Sequence, residues 1–434
     1  MQERVEFLHR KKILGRRRLM NKLMNDMKKL VDYVIAENLP DEAVAKALTD
    51  RDFQKNLYVV AIGKAAWNMA NAAYQKLGDQ IVKGIVITKY GHSNGDIPRM
   101  EIIEAGHPLS DENTIKGTKK ALELVKPLTS DDEVLFLISG GGSALFEKPL
   151  PGLTLEDIVD INGQLLAAGA DIVEINIIRK RLSAVKAGRF AEIVAPASIF
   201  AIVLSDVLGD RLDSIASGPA HPDYSTTEDA IRIIDKYHLN LTPLMEELLE
   251  KETPKKVEKV ETVITGSVVT LSQSAAKIAK EMGYTPYIIC SNMNCEAREA
   301  GRLVGVIASD MVSGKSDFKA PSAIILGGET VVSLKGDGKG GRNQEIALAA
   351  AEGISRLDNV LVMSIGSDGT DGPTDAAGGW VDGNTALSLK EKGFNIYEVL
   401  QRNDSYHALK AMNQLIITGP TGTNVNDVTV ILCI

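Results

Sequence analysis

The chain has 434 residues, of which 44% are hydrophobic and 24% are charged, and its net charge is −8. This balance is typical of a globular protein with a sizeable core, and the length suits two or three domains. The negative charge disfavours a broad nucleic-acid surface, and no apolar run approaches the roughly 18 residues of a membrane helix. We therefore expect small-molecule partners, with no nucleic acid and no membrane.

The N-terminal segment is basic, with clusters at 10–12 and 16–18. Apolar residues at 23, 27, 30 and 34 follow with helical spacing, so we interpret the segment as a solvated basic helix that packs by one face. A nucleic-acid or membrane arm is the alternative. Three cysteines without metal-ligand spacing favour a reducing compartment, and we expect a cytoplasmic protein. The sequence does not determine the oligomeric state, and a homodimer is one possibility.

Strands and helices alternate along the rest of the chain. Apolar runs predict strands at 57–62, 84–88, 101–105, 134–138 and 198–204, and helical patterns lie at 64–77, 112–125, 154–168 and 171–185. Buried runs joined by helices predict a mostly parallel sheet covered on both faces. The pattern loosens around 238–258, where proline and charge cluster, so we predict two domains, 1–245 and 246–434.

The second half resumes the alternation. We predict strands at 260–265, 284–290, 360–365 and 428–432 and helices at 272–282, 295–312 and 342–354. Two further strands, 322–326 and 331–335, are close enough to form a hairpin, which would make the second sheet mixed.

The strand at 134–138 runs directly into Ser139-Gly140-Gly141-Gly142-Ser143. Glycines at a sheet edge let backbone N–H groups approach an anion closely, because no Cβ intervenes. Ligands of open α/β sheets bind beyond the carboxyl ends of the strands. This loop is therefore the leading candidate for phosphate binding, although turn chemistry alone also uses glycine and serine.

Two basic residues each stand at the start of a predicted helix. Lys64 follows a strand and one glycine, and Arg342 follows a glycine run. A surface lysine or arginine would normally avoid the positive end of a helix dipole, whereas a residue that reaches for a phosphate or carboxylate would tolerate it. Lys186 and Arg189, beyond the basic run at 179–181, are further candidates for phosphate contact. A solvated face is the alternative for that run.

Acidic residues also follow predicted strands. Asp368, Asp371 and Asp375 share one loop, and Asp206 follows the strand at 198–204. Clustered carboxylates repel one another unless a cation or donors compensate, and Mg²⁺ is usually held by one or two carboxylates plus phosphates. We favour Asp206 and Asp368 as metal ligands; a calcium-like structural loop or a capped turn is the alternative for the loop that holds Asp368.

Other motifs are weaker. The stretch 336–341 matches G-x-G-x-x-G, but a lone match behind a hairpin strand is poor support for dinucleotide binding. His107 and His221 each precede a proline, and each is either a turn residue or a substrate contact. The Walker pattern and the nucleophile elbow are both absent.

Segments in order across nearly the whole chain resemble the glycerate 2-kinase family whose C-terminal half is called the MOFRL domain. The matching segments are 59–65, 105–108, 138–145, 178–183, 204–210, 215–219, 327–330, 340–345 and 369–377. The resemblance implies ATP- and Mg²⁺-dependent phosphorylation of D-glycerate to 2-phospho-D-glycerate and ADP. It also implies an α/β fold, in which a Rossmann-like three-layer domain and a MOFRL-type domain with a mixed sheet enclose the active site in their cleft.

By the same resemblance, Lys64 and Arg342 match basic residues that face the reacting groups, and 139–143 matches the phosphate-cradling loop. Asp206 would act as base or metal ligand. Arg181 departs from the family, which often has His there. Some members are labelled hydroxypyruvate reductase, so an NAD(P)H-dependent reductase is the alternative function.

Overall fold

The structure is a computed structural model that describes the backbone of residues 2–434 and the side chains of 17–434. The chain divides into two compact units. The parallel-sheet unit comprises Pro40–Thr265, and the mixed-sheet unit comprises the residues up to Leu39 together with Gly266–Ile434.

A long N-terminal helix, α1 (Gln2–Glu37), belongs to the mixed-sheet unit. Its apolar stripe is buried as expected, with Leu23, Leu30 and Val34 fully inaccessible within the core of that unit. The side chains of 10–12 and of residue 16, part of the expected basic face, lie outside the described residues, while Arg17 and Arg18 are exposed.

The parallel-sheet unit is built on six strands. These are β1 (Asn56–Ile62), β2 (Ile81–Lys89), β3 (Met100–Ala105), β4 (Asp132–Ile138), β5 (Ser198–Leu204) and β6 (Val260–Gly266), in the order β3-β2-β1-β4-β5-β6. Every pair from β3 to β5 is parallel. β4 is buried along its whole length, which is why it reads as an uninterrupted apolar run.

Helices accompany this sheet. They are α2 (Pro40–Ala47), α3 (Ala66–Leu77), α4 (Glu112–Val125), α5 (Gly142–Leu145), α6 (Leu155–Ala167), α7 (Ile172–Leu182), α8 (Arg189–Val194), α9 (Thr227–Tyr237) and α10 (Pro243–Leu249). Several begin with a side-chain cap, such as Asp111 before α4 and Thr154 before α6. Such caps satisfy backbone N–H groups that have no partner within the helix.

The mixed-sheet unit carries the other six strands. These are β7 (Thr285–Met293), β8 (Ser322–Gly328), β9 (Val360–Gly366), β10 (Gly378–Asp382), β11 (Leu415–Ile416) and β12 (Asp427–Cys433), in the order β11-β10-β9-β12-β8-β7. Its helices besides α1 are α11 (Val268–Glu281), α12 (Ala297–Val312), α13 (Arg342–Ala350), α14 (Thr385–Glu391), α15 (Ile396–Gln401) and α16 (Ser405–Ala411). β12 lies antiparallel between β8 and β9, so the sheet is mixed.

Two features differ from the expectations. The predicted hairpin at 322–335 was wrong: after β8 only Val331 makes an isolated bridge, to Glu296, and Leu334 is 82% exposed. The units divide after Thr265, whereas we predicted a boundary after residue 245. The reason is that β6 lies beside β5 and so keeps the chain in the first sheet through that strand. Among the described residues, no helix is long and apolar enough to cross a membrane.

Candidate active site

The loops after β1 and β4 are hydrogen-bonded to each other at the carboxyl edge of the parallel sheet. The strands pair with Ile62 opposite Ile138. The Lys64 amide donates to the Gly140 carbonyl at 2.8 Å, and the Ala65 amide donates to the Ser139 hydroxyl at 3.0 Å. These bonds fix Lys64, which lies two residues before α3, beside the glycine loop 139–143.

Two backbone amides of the glycine loop have no acceptor within the described part of the chain. The Ser139 amide donates to Ile62 and the Gly142 amide to Ser139, but the Gly140 and Gly141 amides donate to no other described residue. Gly141 has a φ of +82°, a left-handed conformation that favours glycine. Successive amides in such a turn form a concavity that suits an anion.

Side chains from neighbouring strand ends approach the two glycines closely. A Cβ on Gly140 would lie 2.3 Å from Asp206 Oδ2, and one on Gly141 would lie 2.9 Å from both Cδ2 and Nε2 of His107. The Gly141 Cβ would also lie 3.2 Å from Lys64 Cγ. The glycines are therefore needed here for close approach, and Lys64, Asp206 and His107 all border the loop.

Lys186 lies where the sequence analysis did not expect it. It is fully buried, forms a 2.7 Å ion pair with Glu147, and donates to the carbonyls of Ser143 and Phe146 at 2.9 and 3.0 Å. Burial lowers its pKa to about 8. Its ammonium supports the glycine loop from within the protein, so it lacks the exposure that a phosphate contact requires.

The rest of the basic run is likewise engaged inside the unit. Arg189 donates to the Ser183 carbonyl at 2.8 Å and so caps the end of α7. Lys180 pairs with Asp223 at 3.2 Å, and Arg181 is fully buried and donates to the Ser225 hydroxyl at 2.9 Å. This buried network explains the run without a ligand, and it differs from the solvated face that was the alternative.

Arg342 anchors a separate cluster in the mixed-sheet unit, at the start of α13. Its guanidinium binds Asp427 with two hydrogen bonds, of 2.6 and 3.0 Å, and Glu329 with one of 3.1 Å. Burial raises the pKa of Asp427 to about 6, against the opposing effect of Arg342. Asp427 was not predicted from the sequence; the available signal was an acid that opens a mostly apolar strand, β12.

The three aspartates of the loop 366–378 have separate environments. Asp371 is buried and accepts the amides of Asn343 and Gln344, so it caps α13, and burial raises its pKa. Asp375 is exposed and accepts the Tyr406 hydroxyl. Asp368 accepts the Thr370 amide at 3.0 Å. Protein donors compensate these charges, so the loop needs no cation to form.

The G-x-G-x-x-G stretch at 336–341 is used for packing against the turn between α15 and α16. A Cβ on Gly336 would lie 2.4 Å from the Arg402 Cα, and one on Gly340 would lie 2.2 Å from the Ser405 hydroxyl. The Gly336 and Lys335 amides both donate to the Asn403 side chain. These glycines thus have a structural explanation that involves no dinucleotide.

No group of three or more His, Cys, Asp or Glu side chains in the described part of the chain could hold a metal ion by itself. Asp206 and Asp368 therefore belong to no protein-only metal centre. Mg²⁺ in kinases is commonly held by one or two carboxylates with substrate phosphates and water, and this ligand set is compatible with either residue.

Taken together, the fold and these strand-end loops define an α/β protein with a glycine loop suited to an anion in one unit and a partly exposed arginine–carboxylate cluster in the other. Family models match both halves: residues 26–250 match the Domain of unknown function (DUF4147), and residues 322–427 match the MOFRL family. The chain belongs to the glycerate 2-kinase family.

Individual relatives agree with this assignment. The chain is 52% identical to the D-glycerate 2-kinase of Thermotoga maritima, over 92% of this chain and 97% of that protein. It is 40% identical to the glycerate 2-kinase of Pyrococcus horikoshii, over 91% of each. A crystal structure of the Thermotoga maritima glycerate kinase superposes with a TM-score of 0.92 at 51% identity, covering 95% of this chain and 100% of that one.

Proposed function

We propose that the protein transfers the γ-phosphoryl group of ATP to the 2-hydroxyl of D-glycerate, giving 2-phospho-D-glycerate and ADP. The observation that carries the proposal is the pair of amides at Gly140 and Gly141, which lie beside Lys64 and donate to no described residue. Phosphoryl transfer asks for positioning and for positive charge where negative charge gathers, and this loop offers both. The named activities of the relatives identify the substrate class.

In the parallel-sheet unit, the Gly140 and Gly141 amides would bind phosphate oxygens of the nucleotide. The Lys64 ammonium, on a stem that passes the loop, would stabilise the charge of the transferring group. Asp206 touches the same loop and would either accept the proton of the glycerate hydroxyl or hold Mg²⁺. Asp368 is the second candidate ligand. Mg²⁺, when bound, would neutralise charge on the phosphates.

In the mixed-sheet unit, Arg342 is held rigidly by Asp427 and Glu329. These carboxylates use three of the five guanidinium N–H groups, and the other two have no partner in the described part of the chain, so they are available to a ligand. A guanidinium with paired donors suits the carboxylate of glycerate, and its fixed geometry lowers the entropy lost on binding. We assign Arg342 to that carboxylate.

Reduction of hydroxypyruvate with NAD(P)H is the second candidate. One further relative, from Agrobacterium vitis, carries only a provisional name as a hydroxypyruvate reductase and is 38% identical over 94% of this chain. The packing of 336–341 against Arg402–Ser405 removes the only dinucleotide motif that favoured it.

Phosphorus NMR after incubation with ATP, Mg²⁺ and D-glycerate tests the proposal. We expect ADP and 2-phosphoglycerate, and no turnover in excess chelator. Formation of 3-phosphoglycerate would contradict phosphorylation at the 2-hydroxyl. Continued turnover in excess chelator would contradict the requirement for Mg²⁺. A parallel absorbance assay with NADH or NADPH and hydroxypyruvate, without ATP, should show no oxidation; rapid oxidation would favour the reductase.

A further inference from the structure

His107 stands just after β3, and its ring borders the glycine loop. The imidazole edge that carries Nε2 and Cδ2 faces Gly141: both atoms lie 2.9 Å from the point where a Cβ of Gly141 would be. Cγ of Lys64 lies 3.2 Å from the same point. The imidazole and the lysine stem therefore meet the loop at Gly141, one of the two glycines whose amides have no acceptor among the described residues.

Neither ring nitrogen of His107 has a hydrogen-bond partner among the described residues. Other histidines differ: Nδ1 of His92 contacts the Lys64 carbonyl at 3.0 Å, Nδ1 of His221 contacts the Pro222 carbonyl at 2.9 Å, and Nδ1 of His407 contacts Asp404 at 2.6 Å. A half-buried imidazole without a protein partner is available to a ligand.

The surroundings favour the neutral imidazole. Burial lowers the pKa of His107, and the positive charge of Lys64 lowers it further, followed by Lys89 and His92. A neutral imidazole has one N–H donor and one acceptor nitrogen, so it can donate to a phosphate oxygen without adding a charge. The nearby lysine supplies the charge.

We propose that His107 donates a hydrogen bond from its Nε2–H to a phosphate oxygen of the nucleotide held by Gly140 and Gly141. This inference rests on the proposed function, because it requires a nucleotide phosphate at that loop. His107 then completes a set of donors made of two backbone amides and one imidazole, with the ammonium of Lys64 beside them. Such donors, fixed before the ligand arrives, bind phosphate without reorganisation.

The test measures binding, so it does not depend on turnover. Affinity for a non-hydrolysable ATP analogue with Mg²⁺ is determined by calorimetry for wild type, His107→Phe, His107→Gln and the control His238→Asn. His238 is exposed and ends α9 in a left-handed conformation that Asn tolerates. Phe keeps the shape of the ring and removes both nitrogens, whereas Gln restores a donor near the position of Nε2.

We expect roughly 10-fold weaker binding or more for His107→Phe, as for the loss of one hydrogen bond to a charged group, with partial recovery in His107→Gln and no change in His238→Asn. In ¹⁵N spectra of the histidine rings of the wild-type protein, only the resonance of the protonated Nε2 of His107 should shift on addition of the analogue. This measurement does not require any variant to fold.

Equal affinity in wild type and His107→Phe, or a His107 ring that stays unchanged at saturation, would overturn the inference while leaving the kinase proposal intact. A ring that responds to D-glycerate alone and not to the analogue would also overturn it. If wild type binds no analogue at all, both the inference and the nucleotide site of the proposed function fail.

Discussion

Replacing Gly141 by alanine tests the glycine loop most sharply. A left-handed φ of +82° costs an alanine about 1–2 kcal/mol. The new methyl would also lie 2.9 Å from the His107 ring and 3.2 Å from Lys64 Cγ, so both side chains must move. We expect a melting temperature lower by about 2–8 °C, at roughly 2–4 °C per kcal/mol for a unit of this size. Turnover should fall about 100-fold, because preorganised donors are displaced.

Gly169→Ala is the matched control for this strain. Gly169 lies in the same unit with a φ of +78°, and a Cβ there meets nothing within 4 Å. It should show a similar loss of melting temperature and retain wild-type turnover in a coupled assay of ADP release. If Gly141→Ala kept full activity, or if Gly169→Ala lost as much activity, the steric reasoning would be refuted.

Three further substitutions separate catalytic from supporting charges. Lys64→Ala should lose about 100-fold in kcat with little change in melting temperature. A kcat equal to that of the wild type would contradict a catalytic role for Lys64. Arg342→Ala should lose about 2–4 kcal/mol of stability at pH 8 and less at pH 5. The pKa of Asp427 is about 6 with Arg342 present and rises further without it, so the carboxyl is largely protonated at pH 5 in both proteins, whereas at pH 8 the variant must bury an unpaired charge or take up a proton. Thermal melts should show recovery in the double variant with Asp427→Asn, and equal losses at both pH values would contradict this. Lys186→Met should destabilise the protein through unpaired Glu147, and a raised KM for ATP at an unchanged melting temperature would return Lys186 to the phosphate site.

The sequence predicted most elements that are long and uniformly buried. The run at 134–138 is β4, buried at every position, and the helical stripe of 23–34 packs as α1. Burial on both faces leaves a continuous apolar run, and burial on one face leaves a helical period, so both patterns survive in the residues themselves. The order of the strands in a sheet leaves no such pattern in the sequence, because it depends on pairing between distant segments.

Short or atypical elements escaped prediction. β10 opens with two glycines and β11 has two residues, so neither shows a strand pattern. The false strand at 331–335 had a suitable composition, but its Leu334 is exposed and makes no sheet. Composition indicates where a strand can form, and only a neighbouring strand decides whether it does.

The proximity of Lys64 to the glycine loop was predictable from the local sequence. Lys64 and the glycine loop follow strands directly, and parallel strands bring their carboxyl ends together. The partners of two basic residues lie far away in the sequence and were not predicted. Lys186 is neutralised by Glu147, which stands nearly 40 residues before it, and Arg342 is paired with Asp427 on the last strand. Nothing near either basic residue in sequence indicates such a partner.

A crystal structure of the protein with a non-hydrolysable ATP analogue, Mg²⁺ and D-glycerate would test the central claim most directly. The account predicts phosphate oxygens within hydrogen-bond distance of the Gly140 and Gly141 amides, with the Lys64 ammonium beside the terminal phosphate. A triphosphate bound elsewhere, with these two amides facing only solvent, would contradict it.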